Sequence, residues 1–268
     1  MSRTAPSRLA PEQRPPWRWA VAGIVIGLLT ATALLAPARW LGAAIAHATQ
    51  GRVLIAEATG TVWHGSGQLV LTGGADSHDR AALPGRVHWR LAPGLTGASV
   101  ALEADCCTPH GPLALDLVPR GGGAQIRLAD AQALLPADWL DGLGAPFNTL
   151  QPRGELGWQS RGLTLLWQSG RLVISGQVEI TARAMSSRLS PLRSLGSYQA
   201  TINGGPTPTL KLTTLEGRLQ LTGNGQWTGG RLRFQGTATP ARGMEAQLAS
   251  LLNAIGQRRG NQALLSFG

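Results

Sequence analysis

The chain has 268 residues, 14 acids and 24 basic residues, all arginine except Lys211, for a formal net charge of +10. Its two cysteines, Cys106 and Cys107, are neighbours, which excludes the paired-cysteine framework that staples small secreted domains. The arginines read as scattered singly along strands, with no basic face, aromatic platform or named motif, and this excludes nucleic acid as a partner. The N-terminal arm takes +3 and the remaining +7 reads as spread over the rest, as solvated strand faces or a surface toward anionic lipid or an acidic partner.

Residues 1–18 read as a disordered cytoplasmic arm, with Pro6, Pro11, Pro15 and Pro16, and with Arg3, Arg8, Arg14 and Arg18 against Glu12. An uncharged apolar run follows at 19–38. As a helix of that length it spans about 30 Å, the thickness of a bilayer's hydrocarbon core. Cationic flanks stay in the cytoplasm, so the reading is a single-pass inner-membrane anchor with all that follows in the periplasm. The rival is a cleaved secretory signal, for which Ala36-Pro37-Ala38 and Ala31-Thr32-Ala33 supply small-residue sites. The run exceeds a signal's apolar core of about 7–15 residues. Trp17, Arg18, Trp19, Arg39 and Trp40 stand at its two ends as an interface belt, which favours the retained anchor. Gly23 and Gly27, four apart, offer a small-residue face on which a homodimer could form.

Residues 39–51 predict a juxtamembrane helix, with Pro37 suited to its first turn and Gly51 to its stop. From Arg52 the apolar period changes from 3.6 to 2, and 52–268 reads as one periplasmic β-rich domain. Val87, Trp89 and Leu91 alternate with Arg86, His88 and Arg90. The same alternation recurs at Leu69/Leu71, Val100/Leu102, Leu113/Leu115/Leu117, Ile126/Leu128 and Leu163/Leu165/Trp167. It continues through Leu172/Ile174, Ala200/Ile202, Leu210/Leu212, Leu219/Leu221 and Leu232/Phe234. Glycines and prolines fill the gaps, so the fold class is mainly β: an antiparallel curved sheet or β-sandwich with a few short helices. A Gly-x-Leu-x-apolar-x-Gly segment recurs at 170–176, 217–223, 230–236 and, more loosely, 67–73, without a fixed period. Two stretches interrupt the strands. Asp130–Gly142, broken by Pro136, predicts two short helical turns; Met244–Ile255 predicts an amphipathic helix that closes the sheet's apolar side.

A search for chemistry finds little. The five histidines lack metal-site spacing, and Asp76, His78 and Asp79 read as a polar turn. His64-Gly65-Ser66-Gly67 lacks the glycine two places before the serine that a nucleophile elbow needs. Gly121-Gly122-Gly123 has neither the spacing nor the following helix of a phosphate loop. No enzyme, metal or cofactor is read from the chain. The neighbouring cysteines are expected to remain two loop thiols, with a bridge to another chain as the alternative, because a disulfide wants Cα atoms about 5.5 Å apart.

Several segments together resemble the protein N family of the type II (general) secretion system. They are Leu35-Ala36-Pro37-Ala38-Arg39-Trp40 beside the apolar run, Gly60-Thr61-Val62-Trp63-His64-Gly65, and Leu83-Pro84-Gly85-Arg86-Val87-His88-Trp89. The end of the chain, Leu251–Gly256 and Leu264–Gly268, fits the same pattern of a Leu-rich helix, a glycine and a final strand. The resemblance implies a non-enzymatic component that links the inner-membrane platform, above all its C component, to the outer-membrane secretin. It marks Gly60, Thr61, Val62, Trp63, Gly65, Leu83, Pro84, Gly85 and Trp89 as structural motif residues, with Trp63 and Trp89 in the core. A second resemblance, carried by the short glycine-bounded strands, is to AsmA-like periplasmic proteins, which implies an apolar groove and lipid traffic. A linker should have its apolar face closed by 244–255, and a carrier should leave it open.

Overall fold

The computed structural model describes residues 17–74, 77–168, 171–228 and 231–268. The arm before Trp17, Asp76 and the glycines at 170 and 230 lie outside the described residues. Two units are distinguished, 1–36 and 37–268. Within the first, α1 (Trp17–Leu34) is a helix of 18 residues with none buried, long and apolar enough to cross a membrane. Its carbon-rich side chains have no core of their own to enter, and the helix stops short of Pro37, whose ring lacks an N–H and disfavours helix in the residue before it.

The second unit opens with α2 (Ala38–Ala48), which buries Ala38 and Gly42. Sixteen strands follow among the described residues, the first eight being β1 (Val53–Gly60), β2 (His64–Thr72), β3 (Arg80–Ala82), β4 (Val87–Gly94), β5 (Gly97–Ala104), β6 (Leu113–Arg120), β7 (Gly123–Leu128) and β8 (Ala131–Pro136). A 3₁₀ turn (Ala137–Leu143) and the short α3 (Phe147–Leu150) lead to β9 (Arg153–Gln168) and β10 (Arg171–Ser186). The chain ends with β11 (Gly196–Gly205), β12 (Thr209–Gly217), β13 (Leu219–Thr228), β14 (Arg231–Pro240), α4 (Glu245–Ile255), β15 (Gln257–Arg259) and β16 (Gln262–Phe267). All strands belong to one curved antiparallel sheet, ordered β1-β2-β4-β5-β6-β7-β9-β10-β11-β12-β13-β14-β16-β15. Nearly every neighbour in the sheet is a neighbour in sequence, as short glycine-bounded strands joined by tight turns favour.

β9 and β10, 16 residues each, form the midline. The second half of β9 pairs with β7, as in Ile126 opposite Leu165, and its first half pairs with β8, as in Ala133 opposite Trp158. The pairing of β8 corrects the expectation of helical turns over 130–142. Only 137–143 is helical; Ala131–Pro136 is a strand because Ala133 and Leu135 match Trp158 and Leu156 across the ladder. A short apolar run carries no period of its own, and tertiary pairing decides it.

Every alternating pair picked out of the sequence lies on one of these strands. The helices close the sheet only at its ends. α4 buries Leu248, Leu251 and Leu252 against Leu219, Phe234, Ala238, Ala263 and Leu265. α2 packs on β1, and the 3₁₀ turn on β2 and β3. In the centre, the cross-strand row Leu91–Val100–Leu115–Leu128 stays half-buried, and Trp167 is 53% exposed. The 244–255 helix therefore seals one end of the apolar face and not its whole length.

The cysteines give a second correction. Cys106 and Cys107 are joined to each other in a vicinal disulfide, with Cα atoms 3.7 Å apart. A tight turn accommodates the pair: Cys107 and Thr108 both donate their N–H to the Ala104 carbonyl, and the Thr108 hydroxyl adds a third bond there. Cys107 is 1% exposed and its carbonyl accepts from Leu134 of β8.

Candidate functional site

The two tryptophan motifs meet at one end of the sheet. Gly60-Thr61-Val62-Trp63-His64-Gly65 is the turn between β1 and β2, closed by Gly60 opposite Gly65. The Thr61 N–H donates to the His64 carbonyl at 2.8 Å, and the His64 N–H to the Thr61 hydroxyl at 3.1 Å. Gly60 has φ of +89°, where a side chain is strained, and a Cβ at Gly65 would overlap the Trp89 indole. Trp89, only 3% exposed, sits on β4 opposite Gly65 and donates its indole N–H to the carbonyls of Thr61 and Val62. Trp63 is half-buried, and its carbonyl accepts from Leu91 at 2.7 Å.

The second motif feeds the same corner. Leu83 is buried and donates its N–H to Leu69, while Pro84 and Gly85 turn the chain into β4. At Gly85 φ is +79°. The next N–H, that of Arg86, is held by the Asp105 carboxylate at 3.0 Å. The Arg86 guanidinium reaches Glu57 through its carbonyl (2.9 Å) and carboxylate (3.4 Å), and also Thr59 and Ser66. His88 Nε2 lies 3.2 Å from Asp105. Glu57 carries no signal of its own in the sequence, and Arg86 shows only within the Leu83–Trp89 segment and as a polar partner in the alternation of β4.

This corner is cross-braced by side-chain hydrogen bonds and one ion pair. A shallow cleft of about 360 Å³ beside it is lined by His64, His88, Trp89, Arg90, Glu103 and Asp105, an exposed mixture of both charges. Among the described residues no three of His, Cys, Asp and Glu come together in a way that could hold a metal ion. The other candidates lie elsewhere: Trp17, Arg18 and Trp19 on the exposed surface of α1, Arg39 and Trp40 on the exposed side of α2. Arg39 and Trp40 face outward because Ala38 and Gly42 take the packed side, Gly42 against Ile55 of β1. Charge is distributed differently from the sequence reading. Residues 19–187 balance, eleven arginines against eleven acids, so the +7 beyond the arm falls entirely within 188–268.

A meandering antiparallel sheet with a braced corner, preceded by an apolar helix of membrane-spanning length, defines a mainly β protein with one candidate membrane helix. The family model for protein N of the type II secretion system matches residues 51–265. The chain belongs to that family, whose members are components of the secretion machinery, and the match takes in both tryptophan motifs and the C-terminal helix and strand. No curated protein and no solved structure matches the chain.

Proposed function

We propose that the protein is a non-enzymatic, single-pass inner-membrane component that links the secretion platform, through its C component, to the outer-membrane secretin. The observation that carries the reading is the order of parts. A domain of the protein N family follows directly on an apolar helix of membrane-spanning length. Trp17, Arg18, Trp19, Arg39 and Trp40 would stand at the two membrane surfaces, with the arginine-bearing arm in the cytoplasm and 52–268 in the periplasm. Gly23 and Gly27, with open space beside both, supply the face for a homodimer in the membrane.

A second reading, lipid binding on the sheet, is favoured by one observation: the half-buried leucine row and exposed Trp167 at the centre, which the terminal helices leave uncovered. In-cell crosslinking of the full chain with mass spectrometry separates the two. Crosslinks from the periplasmic domain to the C component or the secretin support the linker. Phospholipid recovered with the protein, and no secretion component, supports the lipid reading.

A further inference from the structure

The basic excess of residues 188–268 comprises Lys211 and eight arginines against Glu216 and Glu245. Strand register sorts part of it onto one face. In β13, Leu219 and Leu221 point inward with Gly223, Gly225 and Trp227, and the exposed positions are Gln220, Thr222, Asn224, Gln226 and Thr228. Ladder partners carry that outer face across the sheet: Arg231 opposite Thr228, Arg233 opposite Gln226, Lys211 opposite Asn224, and Arg259 opposite Gln262 of β16. Arg231 and Arg233 lie two residues apart on one strand, about 7 Å, and Lys211 lies two strands from β14, about 10 Å.

β13–β16 contain no acid on any strand, and β12 has only Glu216, at its far end, where Ser197 donates to it. Among the described residues no carboxylate pairs with Lys211, Arg231, Arg233 or Arg259, whereas Arg86, Arg153 and Arg183 farther up the sheet are all paired. Lys211, Arg231 and Arg233 form an unpaired basic cluster on a face of short polar side chains, with Arg259 at the other end of the ladder, a surface suited to anions held at fixed positions.

We propose that the outer face of β12–β16 docks on a carboxylate-rich surface of a partner protein. A membrane suits the face less well, because the positions around the cations carry short polar side chains, and the exposed Leu215 sits at the far end of β12 beside Glu216. A second copy suits it less, since residues 19–187 carry no net negative charge, eleven arginines against eleven acids. Nucleic acid would call for aromatic platforms beside the arginines, and the one aromatic of β13, Trp227, lies on the inner face. Charge complementarity of this kind sets partner choice and association rate more than total affinity.

The test uses full-length protein in neutral phosphatidylcholine nanodiscs and polyglutamate as the probe. The Lys211→Gln/Arg231→Gln/Arg233→Gln variant is compared with a control of equal charge change, Arg90→Gln/Arg120→Gln/Arg127→Gln. Three exposed charge pairs correspond to about a tenfold loss of polyglutamate affinity for the first variant and little for the control. Equal losses would overturn the proposal. So would an unchanged polyglutamate affinity together with weaker binding to vesicles containing about 30% phosphatidylglycerol. Photo-crosslinking from positions 224 and 235 in cells then reads the partner. An acidic protein lost on charge removal supports docking. If that protein lies outside the secretion machinery, the linker reading fails while the docking face stands.

Discussion

The indole N–H of Trp89 donates to two successive carbonyls, those of Thr61 at 3.2 Å and Val62 at 3.1 Å, so a side chain of β4 holds shut the turn that joins β1 to β2. The two tryptophan motifs are thus one structural unit. Each half is without purpose alone: the turn needs the ring beneath it, and the ring needs the absence of a Cβ at Gly65.

Trp89→Phe keeps an aromatic ring but leaves both carbonyls short of a donor, a loss of about 1–3 kcal/mol. Trp89→Ala empties the site and is expected to cost about 3–5 kcal/mol. For a domain of this size each kcal/mol lowers Tm by about 2–4 °C. Thermal melting of the full-length protein in detergent, followed by far-ultraviolet circular dichroism at the strand signal, checks the order Ala below Phe below wild type. Equal Tm values for all three would remove Trp89 from its bracing role.

Much of the fold was legible because burial here is one-sided. Where one face is wet, apolar residues fall at every second position, and pairs such as Leu113/Leu115 or Leu219/Leu221 identify β6 and β13 directly. β8 was not legible, because Ala133 and Leu135 read as strand only against Trp158 and Leu156, which are more than twenty residues away. The Cys106–Cys107 link was hidden by the opposite problem: the general Cα spacing of disulfides says nothing of a turn tight enough to bring two neighbours together. The motif positions marked the braced corner, but Arg86 and Glu57 act through a long-range contact that no local pattern encodes. The basic face was missed for want of register. Lys211, Arg231 and Arg233 are isolated in sequence and become neighbours only when β12, β13 and β14 are laid side by side.

Tyr198 provides a pH-dependent probe of the same domain. Its ring is buried, its hydroxyl donates to the Leu219 carbonyl at 3.1 Å, and burial pushes the phenol's pKa well above its ordinary value. An unfolded tyrosine ionises near pH 10, with pKa about 10. Below that pH both states hold the proton and the contribution to stability is complete. As pH climbs from about 10 through the raised folded value, only the unfolded state gains by ionising, so stability falls. Tyr198→Phe is expected to lower Tm modestly at neutral pH, by about 1 kcal/mol equivalent. It should also lessen the further drop between about pH 9.5 and 11. Parallel melting curves for wild type and variant across that window would show that another group governs the alkaline limit.

The end of the sheet under α4 has its own core, so damage there should stay local. Leu248 and Leu252 are fully buried among Leu219, Phe234, Ala263 and Leu265. Truncating either to alanine removes about 2–5 kcal/mol. Hydrogen exchange should then quicken in β14, β15 and β16 while the Trp89 corner keeps its protection, since stability varies along a structure in cooperative units. Uniform acceleration from β1 to β16 would show instead that the whole meander opens as one.

If α1 anchors the chain, anchoring should be separable from folding. No residue of α1 is buried, whereas the family match begins only at residue 51. If the domain acts by joining two membranes, losing the inner-membrane hold should abolish its work without unfolding it. Replacing residues 1–36 by a cleavable export signal is expected to give a periplasmic domain with the wild-type melting profile of its β signal and secretion of type II substrates reduced to the level of the deletion strain. Secretion is read as the ratio of substrate in medium to substrate in periplasm. Wild-type secretion from the released domain would mean that the contacts, including those made by the basic face of β12–β16, suffice without the tether. A melting profile shifted downward would mean instead that the helix contributes to the fold, and the loss of secretion would then say nothing of linkage.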